Sequence, residues 1–476
     1  DGKTTVNVTL EIESEALDEV VVVGYGTQKK ESVVGAIAQV KGDDLQELTM
    51  GITNVEEALQ GQLPGVTTIQ GSGVPGRNDM QIYIRGQASW NGGGQPLILV
   101  DGVERDINNI DFNDIENLSV LKDASATAVF GVQGANCVIL VTTKRGKKGR
   151  ARLSLQANTT LKVVSRLPEK LSSYDAILQA NSSIMRELAH EENSWILVRP
   201  LGIADKYRNP ATYEESLLFP NVNWRDLLVK DFAQDYRVNL SVRGGSNKAR
   251  YFASLAYQKE SDIFDGKSFD NGKGYSSEFS YDRINFRSNI DFDLTKTTEF
   301  SVRLGGFYGT QVTPGNLNLV TNAIYELAAN AYTPVYPDGA FGRDFRDIFA
   351  NTNPIVTLSN TGYSTKNTFQ INTDFILKQN LNFITKGLKF QARFSLDNNL
   401  TSSQSLNDPG GGGQENVTYR VYNPADPFTE LFESPDGIND FAYRAFPWTV
   451  GATNVADSSI RQNLLYDFSL NYSNTF

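Results

Sequence analysis

The sequence predicts a small mixed α/β domain followed by the long antiparallel strands of a transmembrane β-barrel. Up to about Arg150, short strand patterns alternate with helix signals, as in a compact α/β unit. After Arg150, long runs alternate apolar and polar residues with period two, the pattern of strands with two different faces. The connectors between these runs alternate between short and long, which is typical of an outer-membrane barrel.

The α/β domain is predicted from helix caps and β-branched runs. A short helix is expected over Thr53–Gln60, where Glu56 completes the spacing of a capping box. A second helix is expected to run to Phe130, with Asp123 as its N-cap and Gly131 as its stop. Strands are expected at Val66–Ile69, Met80–Arg85, Leu97–Val100, Leu118–Leu121 and Cys137–Thr143.

About eight long strands are predicted in the second part of the chain. They lie near residues 151–161, 234–243, 249–259, 278–294, 297–310, 366–379, 387–398 and 462–474. Short turns are expected at 244–248, 295–297 and 380–386, and long segments at 162–233, 260–277, 311–365 and 399–461. If the first strand rises from a periplasmic domain, this parity places the long segments outside the cell. After Arg150 we expect long alternating strands in place of the helical periodicity seen before it.

A water-soluble β-sandwich shares the same period, with one face in its core and the other in water. Two observations favour the membrane barrel over the sandwich. The strands are about ten residues or longer, and Tyr or Phe stands near many strand ends, as an aromatic girdle requires. Solubility of the intact protein without detergent would contradict the barrel.

Composition narrows the classes of function. The 44 basic and 55 acidic residues give a net charge of -11, which argues against a nucleic-acid partner, because phosphate binding needs concentrated Lys and Arg. The single cysteine, Cys137, forms no internal disulfide, and the single histidine, His190, excludes a multi-histidine metal site. We expect neither metal nor cofactor. The sequence contains no apolar run of about 18 residues, so no membrane-spanning helix is predicted. The N-terminus lacks the pattern of a signal peptide, so we expect any signal peptide to have been removed.

Three motifs look catalytic or phosphate-binding, but each lacks the required context. Gly71–Gly76 fits G-x-G-x-x-G, yet it leads into a strand and not into a helix whose N-terminus would meet a pyrophosphate. Gly146–Arg150 lacks Walker spacing and is expected to be a solvated linker. Gly410–Gly413 is expected to be a flexible loop. Because no nucleophile, base and orienting group can be assembled, we predict that the protein is not an enzyme.

Five short motifs follow one another between Leu63 and Gly146. They are Leu63–Val66 (LPGV), Ile84–Gly86 (IRG), Pro96–Val103 (PLILVDGV), Val120–Ala126 (VLKDASA) and Gly134–Lys144 (GANCVILVTTK). None is diagnostic alone. In this order and spacing, the set resembles the plug domain of SusC-like TonB-dependent outer-membrane transporters. The resemblance covers the segment before the plug, the whole plug and, more loosely, the barrel.

This resemblance implies TonB-dependent import of a nutrient, either an oligosaccharide (glycan) or a peptide. It implies an outer membrane of a Gram-negative, Bacteroidetes-type cell, contact with outer-membrane lipid, and energy from the inner-membrane TonB complex. A SusD-like surface lipoprotein is implied as a lid, in an assembly of two transporters and two lids. The alternatives are a siderophore or vitamin receptor, a passive porin, a surface glycan hydrolase and, from a different class, a soluble carbohydrate-binding β-sandwich protein.

The resemblance places the TonB box in the segment just ahead of the plug. Its residues are Glu19, Val20, Val21, Val22, Val23, Gly24 and Tyr25. The four valines have high strand propensity, and nothing adjacent in sequence is expected to pair with them. Such an extended segment is suited to completing a sheet edge of another protein. A buried strand of the plug itself is the alternative.

Two further sets of site residues are expected in the plug. The loop before Pro96 is expected to bind ligand, because Trp stacks on sugar faces and amides bind hydroxyl or peptide groups. The residues are Gln87, Ser89, Trp90, Asn91 and Gln95, with ordinary loop packing as the alternative. The resemblance also implies that Arg85 and Lys122 lock the plug against barrel carboxylates, although Lys lacks the bidentate geometry of Arg.

The predicted domains are the end of a preceding small β domain (1–17, with a strand at Thr5–Ile12), the TonB box and linker (18–30), the plug (31–148) and the first part of the barrel (149–476). A plug of about 100 residues has a radius of gyration near 13 Å. A barrel of about eight strands is filled by its own side chains, whereas about 22 strands leave a plugged lumen. We therefore expect the chain to hold about eight of about 22 strands, the N-terminal portion of the full barrel.

Overall fold

The computed structural model places the chain in two compact units. It describes residues 20–23, 26–29, 37–48, 55–70, 73–76, 80–86, 94–123, 127–164, 167, 169–187, 197–266, 268, 278–314, 317–337, 339–343, 353–359, 362–407, 418–421, 442–445 and 453–473. The first unit comprises residues 1–72 and 79–146, and the second comprises residues 73–78 and 147–476. The predicted strand at Thr5–Ile12 and the glycines at 410–413 lie outside the described residues.

The first unit is a mixed α/β unit. Its strands are β1 (Val20–Val23), β2 (Gly26–Lys29), β3 (Ile37–Lys41), β4 (Val66–Gln70), β5 (Met80–Ile84), β6 (Leu97–Val100), β7 (Val103–Glu104), β8 (Ile115–Leu121) and β9 (Val138–Thr143). Its helices are α1 (Gly42–Leu48) and α2 (Val55–Ala58), with 3-10 turns at Ile107–Asn109, Phe112–Asp114 and Ala128–Gly134. Five strands form a sheet in the order β3-β8-β9-β6-β7, in which β6 and β9 are parallel. The hairpins β1-β2 and β4-β5 are separate.

The sheet of the first unit buries apolar residues on both faces. Leu118 and Val120 of β8 pack in the main core, together with residues of the two helices such as Leu45 and Leu59. Leu121 and Val138 belong to a second, smaller cluster. A strand covered on both faces reads as a continuous apolar run and not as an alternating one, and β9 begins with such a run, Val138–Val141.

One helix prediction needs correction and another is partly described. The helix expected over Thr53–Gln60 is confirmed only for Val55–Ala58, and Thr53 lies outside the described residues. Residues 124–126 of the helix expected between Asp123 and Phe130 lie outside the described residues, and its described end is helical with 3-10 geometry from Ala128. Gly131 has φ 58° and ψ -140°, a conformation that a residue without Cβ adopts easily, so helical geometry is interrupted at this glycine, where the stop was predicted. Helix α1 was not predicted.

The second unit contains eight long strands and six helices among the residues described. The long strands are β10 (Gly149–Lys162), β11 (Ala233–Gly245), β12 (Ala249–Ser261), β13 (Ser280–Asp293), β14 (Thr298–Pro314), β16 (Gly362–Asn380), β17 (Leu388–Asn407) and β20 (Thr453–Tyr472), and the short strands are β15 (Phe341–Arg343), β18 (Thr418–Val421) and β19 (Ala442–Ala445). The helices are α3 (Ser173–Glu187), α4 (Leu201–Arg208), α5 (Tyr213–Leu218), α6 (Trp224–Leu228), α7 (Leu317–Glu326) and α8 (Pro354–Ser359).

The eight long strands form one antiparallel sheet in the order β10-β11-β12-β13-β14-β16-β17-β20. All eight predicted strands are therefore confirmed, and each pairs with its sequence neighbour among the long strands. The short connectors follow β11, β13 and β16, as predicted. The expected linker at Gly146–Arg150 is corrected in part, because Gly149 and Arg150 already belong to β10.

The burial of the two sheet faces is the reverse of a soluble sandwich. Apolar side chains on the outer face are exposed: Leu255 is 54% exposed and Phe394 43%. Polar side chains on the opposite face are buried: Asn289 is 0% exposed and Asp374 2%. A soluble sandwich would bury its apolar face, whereas a membrane barrel presents it to lipid. This arrangement favours the barrel and argues against the sandwich.

The long segments between strands contain helices that the sequence analysis did not predict. Helices α6, α7 and α8 share one apolar core that includes Trp224, Val320 and Ile355. The Trp224 indole donates to the Ala328 carbonyl at 3.0 Å. Each helix is too short to show a long 3.6-residue period, so packing between segments decides their structure. No helix in the ranges described above is long and apolar enough to cross a membrane.

Candidate functional site

The motifs of the first unit contact one another, and we call this group the motif cluster (residues 63–66, 84–86, 96–103, 120–123 and 134–144). The Arg85 amide donates to the Gly65 carbonyl at 2.8 Å, which joins the first and second motifs. The Lys122 ammonium donates to the Pro64 carbonyl, which joins the first and fourth. The third and fifth motifs pair as parallel strands β6 and β9. Motifs far apart in sequence therefore form one connected structure.

The motif cluster also holds the unusual backbone of the described part of the chain. Three non-glycine residues there have positive φ: Arg85 (61°), Asp101 (53°) and Cys137 (73°). Each lies in a motif, and this region of φ is uncommon for residues with a side chain. Asp101 and Gly102 both have positive φ, as a two-residue hairpin turn between β6 and β7 requires.

The Asp101 carboxylate fixes this turn to the end of β9. Its side chain is 2% exposed and lies 2.7 Å from the Arg145 guanidinium. It accepts hydrogen bonds from the Thr143 amide at 3.1 Å and from the Thr143 hydroxyl at 2.7 Å. A buried carboxylate is stable only when it is paired and hydrogen-bonded in this way. The Asp-Gly of the third motif is therefore a structural joint.

Cys137 begins the fifth motif, just before β9. Burial raises the pKa of its thiol, against the lowering effect of Arg85. The thiol donates to the Lys122 carbonyl at 3.6 Å. A raised pKa reduces the thiolate fraction, so the geometry indicates a packed cysteine and not an activated nucleophile.

The predicted lock residues are both engaged inside the first unit. The Arg85 guanidinium lies 2.9 Å from the Asp123 carboxylate, with side chains 57% and 33% exposed. Lys122 contacts Pro64, as described above. An exposed pair of this kind stabilises by less than about 1 kcal/mol. The role of Arg85 and Lys122 as a lock against the barrel stays a prediction.

The predicted ligand residues fall mostly outside the described part of the chain. Gln87, Ser89, Trp90 and Asn91 are among the residues not described. Gln95 is exposed, directly before the buried Pro96 that leads into β6. The structure thus places one of the five predicted residues, on the surface of the first unit.

The predicted TonB box is partly described. Glu19, Gly24 and Tyr25 lie outside the described residues, whereas Val20–Val23 forms β1. The expectation that nothing adjacent in sequence pairs with the valines is wrong, because β1 forms an antiparallel hairpin with β2, from Val20 opposite Lys29 to Val23 opposite Gly26. β1 does not join the five-stranded sheet of the described residues, and the alternative, a buried strand of the plug, stays a prediction. Binding of TonB by this segment stays a prediction.

The second unit carries a polar, charged sheet face that sequence analysis did not single out. Arg237, Arg283 and Arg287 are each less than a tenth exposed, and the Arg283 guanidinium lies 4.5 Å from the centre of the Phe307 ring. These arginines belong to the face formed by every second residue of their strands, so the period-two pattern was the available signal. Among the described residues, no group of three or more His, Cys, Asp or Glu is placed to hold a metal ion.

Comparison with known proteins agrees with this architecture. Residues 29–138 match the TonB-dependent Receptor Plug Domain family. TonB-dependent receptor P26 of Formosa agariphila is 32% identical over 433 residues, which cover 88% of this chain and 39% of that protein. TonB-dependent receptor SusC of Bacteroides thetaiotaomicron is 32% identical over 302 residues, covering 60% of this chain and 27% of SusC. The chain thus spans well under half of these relatives.

Solved structures show the same fold. The structure of the RagAB peptide importer in the open-open state superimposes with a TM-score of 0.65, at 23% identity over 84% of this chain and 44% of that chain. A second structure, of the RagAB peptide transporter, gives a TM-score of 0.63. With the plug match, the sequence relatives and the antiparallel sheet, the chain belongs to the SusC-like TonB-dependent receptors.

Proposed function

We propose that this chain is part of an importer that takes up a nutrient, an oligosaccharide or a peptide, across the outer membrane of a Gram-negative bacterium. The observation that carries the proposal is the presence, in one chain, of a plug domain and a sheet whose exposed face is apolar. A plug has a use only inside a pore, and an apolar outer face suits lipid. The relatives named as receptors of this type support the proposal.

The energy would come from TonB, bound through Glu19–Tyr25. In the described part of the chain, β1 pairs with β2 alone, on one edge. A second chain would add to β1 by backbone hydrogen bonds, or would replace β2 in the hairpin. Backbone bonds of this kind act together when the strand is pulled along its length, which suits a segment that transmits force.

Ligand recognition would fall to the loop residues Gln87, Ser89, Trp90, Asn91 and Gln95, with a SusD-like lipoprotein closing the mouth from outside. Trp90 would stack on a sugar or peptide plane, and the amides would bind hydroxyl or peptide groups. Arg85 and Lys122 would exchange their present partners for barrel carboxylates when the plug is locked. Two such transporters with two lids would form the assembly.

The first experiment tests TonB coupling. Replacing Val21 and Val23 by proline removes two amide donors from the same edge of the strand, at about 1 kcal/mol each. Binding of a purified periplasmic TonB domain to the full protein is then expected to weaken about 30-fold. The matched control, threonine at both positions, keeps both donors. Unchanged binding by the proline variant would refute the box.

The second experiment tests the substrate. A deletion strain is supplied with single oligosaccharides, with peptides, or with ferric siderophores, and uptake is followed with and without the gene. We expect gene-dependent uptake of an oligosaccharide or a peptide, lowered by Trp90→Ala. Gene-dependent uptake of siderophore alone would overturn the proposed nutrient class.

A further inference from the structure

One short loop of the second unit comes from a distant part of the sequence. Residues 73–78 belong with the long-strand sheet, whereas residues 72 and 79 on either side belong to the first unit. We name the described part of this segment, Gly73–Gly76, the anchor loop. It lies between β4 and β5, which pair as a hairpin, so it occupies the tip of that hairpin.

Three side chains of the sheet receive the anchor loop. Glu260 of β12 stands opposite Tyr281 of β13, and Tyr281 stands opposite Gln311 of β14. The three therefore form one row across adjacent strands, on the polar face. Side chains directly opposite one another in a sheet act as a unit.

Each member of the row makes a different contact with the loop. The Gly76 amide donates to the Glu260 carboxyl at 3.1 Å, and the Gln311 amide donates to the Pro75 carbonyl at 2.6 Å. The Tyr281 ring lies against Gly76 so closely that a Cβ there would stand 2.5 Å from two ring carbons. Gly76 also has φ 66°, so both space and backbone require glycine at this position.

The acceptor for the Gly76 amide is itself held in place. Glu260 is 1% exposed, and its second oxygen accepts from the Gln258 amide at 2.5 Å. A buried polar group in a network with few alternatives has a defined orientation. Pro75 is buried as well. The sheet thus presents side chains in a fixed arrangement that binds the backbone of the anchor loop.

We propose that Glu260, Tyr281 and Gln311 form an attachment site for the anchor loop, which holds this loop on the polar face of the sheet and stays closed during transport. The last clause rests on the function proposed above, whereas the attachment itself does not. The motif that resembled a dinucleotide-binding loop, Gly71–Gly76, has this different use: its last glycine admits the tyrosine ring and donates its amide to a carboxyl.

The attachment is tested in the full protein by thiol labelling. In a Cys137→Ala background, Pro75→Cys introduces one thiol at a buried site, and a small maleimide measures how often the loop leaves the sheet. Glu260→Leu removes the acceptor and is expected to raise the labelling rate at least about fivefold, the effect of losing a hydrogen bond of about 1 kcal/mol. Glu260→Gln keeps an acceptor oxygen and should restore protection. Asp282→Leu, which removes a carboxylate from the opposite face of β13 where it accepts from Tyr257, is the matched control and should change nothing. Equal rates in all four proteins would overturn the attachment.

A second measurement leaves Pro75 in place. Gly76→Ala is expected to accelerate tryptic cleavage after Arg77. Gly76→Ala with Tyr281→Ala should slow the cleavage in part, because removing the ring creates room for the methyl group while the strain at φ 66° remains. Absence of this rescue would refute the ring contact.

Finally, a short cross-link between Pro75→Cys and Gln311→Cys should leave uptake within about twofold of the reduced protein. Loss of uptake on cross-linking alone would show that the loop opens during transport. If the uncross-linked protein imports nothing, the proposed function fails while the labelling result still stands.

Discussion

The Asp101 joint gives the most quantitative prediction. The carboxylate has 2% side-chain exposure, an ion pair with Arg145 at 2.7 Å and two hydrogen bonds from Thr143. Asp101→Ala removes the acceptor and leaves the guanidinium without this partner. Breaking a buried pair by removing one side costs about 3–5 kcal/mol. Alanine at φ 53° adds further strain, because alanine lacks the local hydrogen bonds that let Asp adopt this region.

Thiol labelling of the native cysteine measures this loss of stability. Cys137 is the single cysteine of the chain, and it is partly buried directly before β9, the strand that the Asp101 carboxylate holds. Local opening exposes the partly buried thiol further, so the labelling rate rises with the opening equilibrium. A loss of about 3 kcal/mol corresponds to at most roughly 150-fold faster labelling.

The control uses the same substitution at an exposed pair. Asp43 lies 3.0 Å from the Lys144 ammonium, with 82% of the Asp43 side chain exposed. An exposed pair contributes less than about 1 kcal/mol, so Asp43→Ala should change the labelling rate less than about fivefold. If Asp101→Ala and Asp43→Ala label at rates within about fivefold of each other, the carboxylate does not hold the turn and the reasoning is refuted.

Three further predictions concern the long segments between strands and the first unit. Burial raises the pKa of Asp262 to about 6 from its ordinary 3.8. The free energy of unfolding therefore falls by up to about 3 kcal/mol as pH rises from about 4 to about 6, because the buried carboxyl must ionise. Asp262→Asn should protect nearby amides from hydrogen exchange above pH 6 but not at pH 4. Trp224→Ala, which removes a side chain 2% exposed, should destabilise the helical layer by about 3–5 kcal/mol, seen as faster proteolysis within 163–232, whereas Leu197→Ala, 60% exposed, should not. Gly42→Ala should destabilise the first unit and speed Cys137 labelling, because a Cβ would lie 1.8 Å from the Ile115 carbonyl oxygen; normal labelling would contradict that contact.

The long strands were predictable because their signal is local. Along β13, Ile284 and Phe286 alternate with Arg283 and Asn285, and that period alone places the strand and its two faces. The short connectors follow from the ends of these runs. The pairing order also follows, since strands joined by short turns are neighbours.

The helices between strands were not predictable in the same way. Helix α6 spans Trp224–Leu228 and α8 spans Pro354–Ser359, each too short for a periodic signal. Their stability comes from contacts with other segments, such as the shared core around Trp224. The sequence of one segment does not show which other segments it packs against, and this tertiary packing is what stabilises these helices.

The contacts of the motif cluster explain why a set of individually weak motifs was informative. Arg85 contacts Gly65 through its backbone and Asp123 through its side chain, so the first, second and fourth motifs depend on one another. Asp101 contacts Thr143, so the third depends on the fifth. Substituting one motif would leave polar groups of another without their partners, at about 1–3 kcal/mol for each buried group. The order and spacing by which the plug was predicted therefore reflect a network of contacts between the motifs.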